Sequence, residues 1–399
     1  MEVRILRHNY LPSLYRQSTE KLPSTKLRRE LGMTLSKALS EEVLPSEEFK
    51  EQFLQCMSQL LPFLKIPTFG IDCSDPPVYA GDITPWRPYS KRVPCFLIPM
   101  SIGKIAGKYF EPGYFVFPLP TPTNNKNNKK VKSVKINKLD VKSDDGMHIS
   151  PKKMYKTLMT VLDTGIHKMK RFHAGKGKKK STMTTGGRSS VTESVEETPV
   201  LAPSARLLLV DNDLALVMRT PDGSEAELIP TFAASKSGPF FVAKPFENDE
   251  NPGSDMLWRV NFCTNEETIF KAVTSGDKMH RINAAKVLAY ACKREWKLKH
   301  VTEYQIMNIV LHEVDFQVDH SPRWQRFSID ECLHLLLLRM LEFTRAKFLP
   351  HFFEQSMNLW SHLTEKQLAF MRGSLEQLTL DDDEMMRVVR RVRAEPIRF

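Results

Sequence analysis

The apolar pattern of the chain changes near residue 264, and that change limits the folds open to it. Short apolar runs of strand length precede this point, at 78–80, 95–100, 206–218, 226–232 and 240–243. Residues 265–378 instead carry apolar side chains at helical spacing, with predicted breaks near Ser275-Gly276, His300-Val301, Ser321-Pro322 and Leu349-Pro350. We therefore expect an α+β protein in which a mixed α/β region is followed by a helical bundle.

The length and composition fit a globular protein with two lobes. The chain has 399 residues, of which 41% are apolar and 26% charged, and this length suggests two domains or one large bilobed unit. The predicted divisions are an N-terminal extension at 1–25, an α/β lobe at 26–264, a helical lobe at 265–378 and a charged tail at 379–399. Within the α/β lobe, residues 26–64 and 149–171 have helical patterns.

The positive charge is concentrated in one part of the chain. Residues 121–200 hold 18 Lys and Arg against 7 Asp and Glu, so this segment has a net charge of +11. The whole protein has the same net charge of +11. We predict disordered insertions at 121–147 and 173–203, which are rich in Asn, Lys, Gly and Ser. A basic patch that could bind nucleic-acid phosphates or an anionic membrane surface consists of Lys168, Lys170, Arg171, Lys176, Lys178, Lys179 and Lys180. The alternative is a solvated loop without a ligand.

Cysteine usage and hydropathy indicate the compartment. The six cysteines include no C-x-x-C pair, which is typical of a reduced intracellular protein. The N-terminal residues lack the apolar core of a signal peptide, and no stretch approaches the roughly 18 consecutive apolar residues of a membrane span. We expect a cytoplasmic protein without a transmembrane segment.

The most specific sequence signals lie in the C-terminal half. They are Phe241–Pro245 (FVAKP), Leu257–Phe262 (LWRVNF), Leu298–His312 and Leu349–Phe353. Together they resemble the Mab (male-abnormal) nucleotidyltransferase-fold family, which includes cyclic GMP-AMP synthase and the mitochondrial dynamics proteins. The first and third segments are most similar to the mitochondrial dynamics group. The resemblance implies a bilobed nucleotidyltransferase fold, with a mixed β-sheet lobe and a C-terminal helical lobe.

Active members of this family hold two metal ions on three carboxylates beside a Gly-Ser turn. By resemblance, the turn corresponds to Gly81-Asp82, the paired carboxylates to Val93 and Cys95, and the third carboxylate to Glu227. Magnesium prefers anionic oxygen ligands, and one of the three remains. The sequence therefore predicts a degenerate metal site, no bound metal and no nucleotidyl transfer.

The resemblance also implies a purine-nucleotide pocket. Its residues correspond to Arg259, Lys286, Tyr304 and Gly81 in this chain. An arginine can bond phosphate and stack on a base, and a tyrosine ring offers a second stacking face. The alternative is that Arg259 and Lys286 form salt bridges between the lobes and that Tyr304 lies in the core.

These observations lead to an interpretation as a catalytically inactive binding or adaptor protein that senses a nucleotide and recruits a protein partner. The resemblance to mitochondrial dynamics proteins implies a dynamin-family GTPase as the partner and a peripheral position at the mitochondrial outer membrane. The alternative is a cyclic-dinucleotide synthase-like receptor activated by double-stranded nucleic acid, which would need Asp72, Asp75 or Asp82 beside Glu227. A third hypothesis is a nucleic-acid-binding scaffold that uses residues 168–180.

Overall fold

The computed structural model describes residues 47–64, 73, 75–81, 93–101, 107–119, 140–143, 146–180, 206–210, 215–220, 223–234, 238–244, 254–294, 298–315, 327–381, 383–384 and 387. Within these residues the helices are α1 (Glu47–Leu60), α2 (Pro151–Lys180), α3 (Cys263–Asp277), α4 (His280–Arg294), α5 (Glu303–Asp315), α6 (Ile329–Ala346) and α7 (Glu365–Leu380). The strands are β1 (Val78–Gly81), β2 (Cys95–Pro99), β3 (Lys108–Glu111), β4 (Tyr114–Val116), β5 (Asp140–Ser143), β6 (Gly146–Ile149), β7 (Arg206–Val210), β8 (Ala215–Arg219), β9 (Glu225–Ala233), β10 (Phe240–Val242) and β11 (Trp258–Asn261).

A mixed sheet dominates the first part of the chain. Its main strand order is β1-β2-β9-β10-β11-β4-β3, and β8 pairs with both β7 and β9. The β2–β9 pair is parallel, whereas the neighbouring pairs are antiparallel. The strands β5 and β6 form a separate hairpin. The long strand β9 pairs with three others, so its residues lie in the interior of the sheet.

Aromatic side chains fix helices to this sheet. Phe53 of α1 stacks on Phe96 of β2 with ring centroids 4.1 Å apart. The Nε1–H of Trp258 on β11 donates to the carbonyl of Ile149, just before α2, at 3.0 Å. Gly165 lets α2 approach the end of α1, because a Cβ at this position would lie 2.7 Å from Leu64 Cδ2. Each fully buried aromatic side chain contributes roughly 1.5–3 kcal/mol.

The described residues divide into two compact units at Cys263–Thr264. The sequence predicts the boundary after residue 264. The first unit, the sheet unit, contains β1–β11, α1 and α2. The second unit, the helical unit, contains the rest of α3 and helices α4–α7.

The helical unit has its own core. Leu336, Leu337 and Met340 of α6 are almost completely buried, at the spacing expected for the inner face of a helix. Helix α7 begins where a Ser/Thr-x-x-Glu/Gln pattern predicts a capping box. The Thr364 amide donates to Gln367 Oε1 at 2.8 Å, and Thr364 Oγ1 accepts from the Gln367 amide at 3.3 Å.

The structure differs from the expected strands and insertions in the sheet unit. The run 206–218 is not one strand, because β7 and β8 pair with each other in antiparallel register. The hairpin β5–β6 begins at Asp140, inside the predicted disordered insertion 121–147. Helix α2 continues to Lys180, beyond the start of the predicted insertion 173–203. The glycines and lysines on which the predicted insertion was based do not end the helix at residue 172.

A predicted break in the helical lobe also lies elsewhere. Helix α3 runs through Ser275-Gly276 and ends at Asp277. A single glycine costs a helix interior only about 1 kcal/mol, which is too little to end a helix by itself. The chain turns instead at Lys278 and Met279, whose φ angles are 54° and 65°. The predicted extension 1–25, the helix in 26–44 and the break at Ser321-Pro322 lie outside the described residues.

The architecture confirms the predicted fold class. It is an α+β fold with a mixed sheet in its N-terminal part and a helical C-terminal part. Across the part of the chain that the structure describes, no helix combines the length and apolarity needed to cross a membrane.

Candidate functional site

The sheet aligns three of the predicted site residues across adjacent strands. Cys95 on β2 pairs with Glu227 on the parallel strand β9, and Gly81 at the end of β1 pairs with Cys95. Paired residues on neighbouring strands point to the same face. Gly81, the described residue of the predicted phosphate turn, therefore lies beside two of the predicted metal positions. Gly81 has a φ of 90°, a conformation that glycine adopts without steric cost.

Glu227 is a completely buried carboxylate with two polar neighbours. Its side chain has 0% exposure, and the Nζ of Lys244 lies 2.5 Å from Oε1. The Cys95 Sγ lies 3.4 Å from the other carboxylate oxygen, Oε2, and 3.4 Å from the carbonyl of Val93. The thiol can therefore donate its single hydrogen to Glu227 or to Val93. A carboxylate in a buried site requires a cationic partner or hydrogen bonds, and Glu227 has both.

Lys244 reaches Glu227 from the segment that follows β10. The chain turns there, because the Lys244 amide donates to the carbonyl of Val242 at 2.8 Å. The lysine side chain is itself 4% exposed, and its Nζ lies 5.5 Å from the centroid of the Tyr155 ring on α2. The π face of tyrosine attracts a cation. An aromatic ring and a carboxylate thus hold the ammonium group inside the protein.

This set of residues does not fit a pair of divalent metal ions. Val93 supplies no side-chain ligand, Cys95 supplies a thiol in place of a hard oxygen, and Glu227 is the one carboxylate. The ammonium of Lys244 already lies at the carboxylate oxygen that a metal ion would use. Across the described residues, no group of three or more His, Cys, Asp or Glu side chains could hold a metal ion.

Arg259 lies on the same face of the sheet but some distance from Glu227. The register joins Thr231 to Val242 and Val242 to Arg259. Four residues along a strand and two interstrand steps therefore separate Glu227 from Arg259, which corresponds to about 17 Å between their Cα atoms. Arg259 is 3% exposed, and its Cζ lies 6.0 Å from the centroid of the Tyr114 ring.

The other two predicted nucleotide residues belong to the helical unit. Lys286 on α4 is half-buried. Tyr304 on α5 is 6% exposed and lies in the core of this unit. Its hydroxyl donates a hydrogen bond to Glu266 Oε1 at 2.7 Å, and the hydroxyl oxygen lies 2.9 Å from His351 Nε2. The hydrogen-bonded, buried position corresponds to the core alternative, and nucleotide binding by these residues stays a prediction.

The basic patch lies partly within the described residues. The side chains of Lys168, Lys170 and Arg171 are exposed near the C-terminal part of α2. The lysines at 176, 178, 179 and 180 continue the same helix, and their side chains lie outside the described part. Lys152 and Lys156 near the start of α2 are also exposed.

Sequence reasoning missed the residues that complete these sites. Lys244 was part of the FVAKP segment, but no sequence pattern linked it to Glu227. A lysine placed between an apolar strand and a proline was the available signal. Glu266 and His351, the partners of Tyr304, had no recognised pattern.

The described fold is a mixed sheet followed by helices, and Gly81, Cys95 and Glu227 lie in register on the adjacent strands β1, β2 and β9. Residues 279–377 match the family model described as the Mab-21 protein HhH/H2TH-like domain. The match covers α4 to most of α7. This part of the chain is similar to the Mab-21, nucleotidyltransferase-like family, and the match confirms the predicted resemblance for these residues. A special closeness to the mitochondrial dynamics proteins stays a prediction.

Proposed function

We propose that this protein is a catalytically inactive member of the nucleotidyltransferase-like fold that works by binding, as an adaptor. The observation that carries the proposal is the buried contact between Lys244 Nζ and Glu227 Oε1 at 2.5 Å. Two-metal catalysis requires anionic oxygens that can bind the ions and the phosphates together. Here a fixed positive charge of the chain itself engages the one carboxylate of the degenerate site.

Two further features support the absence of metal chemistry. A divalent ion at Glu227 would have to approach the Lys244 ammonium closely, and like charges in a buried site repel strongly. Cys95 lies at a predicted ligand position, and its Sγ is hydrogen-bonded at 3.4 Å to Glu227. Such a thiol is a poor ligand for magnesium.

The finer part of the proposal concerns what the protein binds. The sequence implies a purine nucleotide at Gly81, Arg259, Lys286 and Tyr304 and a protein partner, with a dynamin-family GTPase as the candidate by resemblance. Arg259 lies on the face of the sheet that carries Glu227. A rise in melting temperature with ATP or ADP, lost in Arg259→Gln, would support the nucleotide part.

The catalytic part of the proposal is tested by a transfer assay. The full chain is incubated with labelled ATP and GTP, with magnesium or manganese, and with double-stranded RNA or DNA. We expect no new phosphodiester product under any of these conditions. A product that the wild type forms and Glu227→Gln does not would overturn the proposal, because the activity would then belong to this site and not to a contaminant.

The rival enzyme hypothesis requires a second carboxylate near Glu227. Asp75 is exposed, whereas Glu227 is buried; Asp72 and Asp82 lie outside the described residues. The transfer assay can be repeated with Asp72→Asn and Asp82→Asn. A product that either substitution abolishes would favour the cyclic-dinucleotide synthase-like receptor.

A second candidate function is polyanion binding along α2. Its described surface presents Lys152, Lys156, Lys168, Lys170 and Arg171 as exposed side chains, with Asp163 as the exposed acid between them. The logarithm of the binding constant for a duplex falls linearly with the logarithm of the salt concentration. Each phosphate contact makes the slope of this line steeper by about 0.9. We expect the joint substitution of Lys168, Lys170 and Arg171 by Gln to flatten this slope, and Lys366→Gln on α7 to leave it unchanged. Equal slopes in the wild type and the triple variant would exclude this surface.

A further inference from the structure

A buried polar cluster in the helical unit joins three separate segments. Glu266 lies in the first turn of α3, Tyr304 lies on α5, and His351 lies in the loop after α6. The Tyr304 hydroxyl donates to Glu266 Oε1 at 2.7 Å, and its oxygen lies 2.9 Å from His351 Nε2. All three residues are less than one tenth exposed.

The backbone around His351 determines which nitrogen of its ring carries the proton. The amides of Phe353 and Glu354 both donate to His351 Nδ1, each at 3.2 Å. Nδ1 must therefore be unprotonated, and the hydrogen of the neutral ring lies on Nε2. Nε2–H then donates to the Tyr304 oxygen, which leaves the tyrosine hydrogen for Glu266.

This arrangement prevents His351 from acting as a counter-ion. A second proton on the ring would have to displace both amide donors from Nδ1. In this arrangement the His351 ring is in its Nε2–H tautomer, and its Nε2 lies 3.9 Å from Glu266 Oε1. The titratable side chains that the structure places against Glu266 are Tyr304 and His351, and neither brings a positive charge. Among the described residues, no cationic side chain is placed against Glu266, and a buried carboxylate without a cation is a costly state once it ionises.

Glu266 gives the first turn of α3 a buried contact, and Phe270, one turn further on, packs against the core of the helical unit. Among the described side chains at 264–272, Glu266 is buried, while Ile269 and Phe270 are half-buried. The neighbouring Glu267 points to the surface and pairs with Lys271 at 2.8 Å. A change of charge on Glu266 would therefore act directly on the attachment of the first turns of α3 to the helical unit.

We propose that Glu266, Tyr304 and His351 form a pH-sensitive latch, which holds the start of α3 while Glu266 is protonated and loosens it when Glu266 ionises. Burial raises the pKa of the Glu266 carboxyl from its ordinary 4.5 to about 7, and the hydrogen bond from Tyr304 opposes part of this rise. The contact thus contributes its full stabilisation below pH 4.5. That stabilisation is lost as the pH rises toward 7, and little further change follows above it.

The size of the effect follows from the two pKa values. If the opened segment exposes Glu266 to water, the equilibrium constant for local opening rises by roughly seventyfold between pH 5 and pH 8. This range lies close to neutrality. A modest change in pH, or a ligand that favours the ionised carboxylate, would then change how firmly α3 is attached.

The experiment measures ionisation and opening separately on the full chain. Carbon-13 NMR of labelled glutamate side chains reports the titration of Glu266, which is assigned from the signal missing in Glu266→Gln. Hydrogen exchange of the α3 amides, corrected for the intrinsic dependence on pH, reports opening. In the wild type we expect the NMR titration of Glu266 to have a midpoint near pH 7. The protection of the α3 amides should fall by roughly seventyfold from pH 5 to pH 8. Glu266→Gln should remain protected across the whole range.

Two variants act as controls. Glu267→Gln removes the adjacent surface carboxylate and should leave the wild-type pH profile unchanged. Tyr304→Phe removes the hydrogen bond that lowers the pKa of Glu266, so the NMR midpoint should move to higher pH. A Glu266 midpoint below about pH 5 would refute the latch, since it would lie near the ordinary value for this side chain. Protection of α3 that does not change while Glu266 ionises would refute it equally.

Discussion

Removal of the Lys244 ammonium provides a direct test of the buried ion pair. In Lys244→Met the apolar stem is largely retained, but Glu227 keeps a carboxylate at 0% exposure without its cation. Removing one partner of a buried ion pair lowers the free energy of unfolding by about 3–5 kcal/mol. The Cys95 hydrogen bond to Glu227 moderates the loss, so we expect a value near the lower end of this range.

Urea unfolding at constant pH, followed by circular dichroism, gives the free energy of unfolding for each variant. The double variant Lys244→Met with Glu227→Gln removes both charges, and we expect it to recover most of the stability that Lys244→Met loses. The matched control is Lys271→Met, which removes the exposed lysine of the surface pair with Glu267 and should cost less than about 1 kcal/mol.

The outcomes of this cycle are distinguishable. A loss for Lys244→Met no larger than that for Lys271→Met would refute the reasoning, because the ammonium would then contribute nothing specific to the buried site. A double variant as unstable as Lys244→Met would also contradict it. That result would assign the cost to packing of the lysine stem against Tyr155 and not to charge.

Two further predictions concern other parts of the protein. Thr364→Ala removes the side-chain acceptor at the start of α7 and should lower the free energy of unfolding by about 1 kcal/mol, whereas Thr364→Ser should retain it; equal loss in both variants would contradict a capping role. All six cysteines are buried and none forms a disulfide. A thiol reagent such as 5,5′-dithiobis-(2-nitrobenzoic acid) should therefore react slowly with the native chain and should titrate six thiols in denaturant. Rapid reaction of the native protein would show that at least one thiol is accessible.

The sequence predicted the class of fold and part of the candidate site. Short apolar runs and helical spacing are local properties, so β1, β2, β10 and the helical character of the chain after residue 264 were predictable, although not every helix boundary. The family resemblance identified Cys95 and Glu227, and the parallel register of β2 and β9 places them opposite each other.

The remaining features depend on contacts between distant segments. Lys244 is 17 residues from Glu227 along the chain, and no periodicity links a lysine after one strand to a carboxylate on another. The backbone amides of Phe353 and Glu354 fix the tautomer of His351, and such a contact has no signature in the side-chain sequence. The run 206–218 was misjudged because its polar middle residues separate two strands of similar apolar character.

The covalent attachment of the Lys244 cation has a consequence for regulation. A bound metal stabilises a protein according to its free concentration, through mass action. A lysine of the same chain is present at each Glu227 at every concentration of divalent ions. The charge balance at this carboxylate is thereby insulated from changes in cellular magnesium and from chelators. In the sheet unit, the predicted metal position at Glu227 thus holds a counter-charge that belongs to the chain itself.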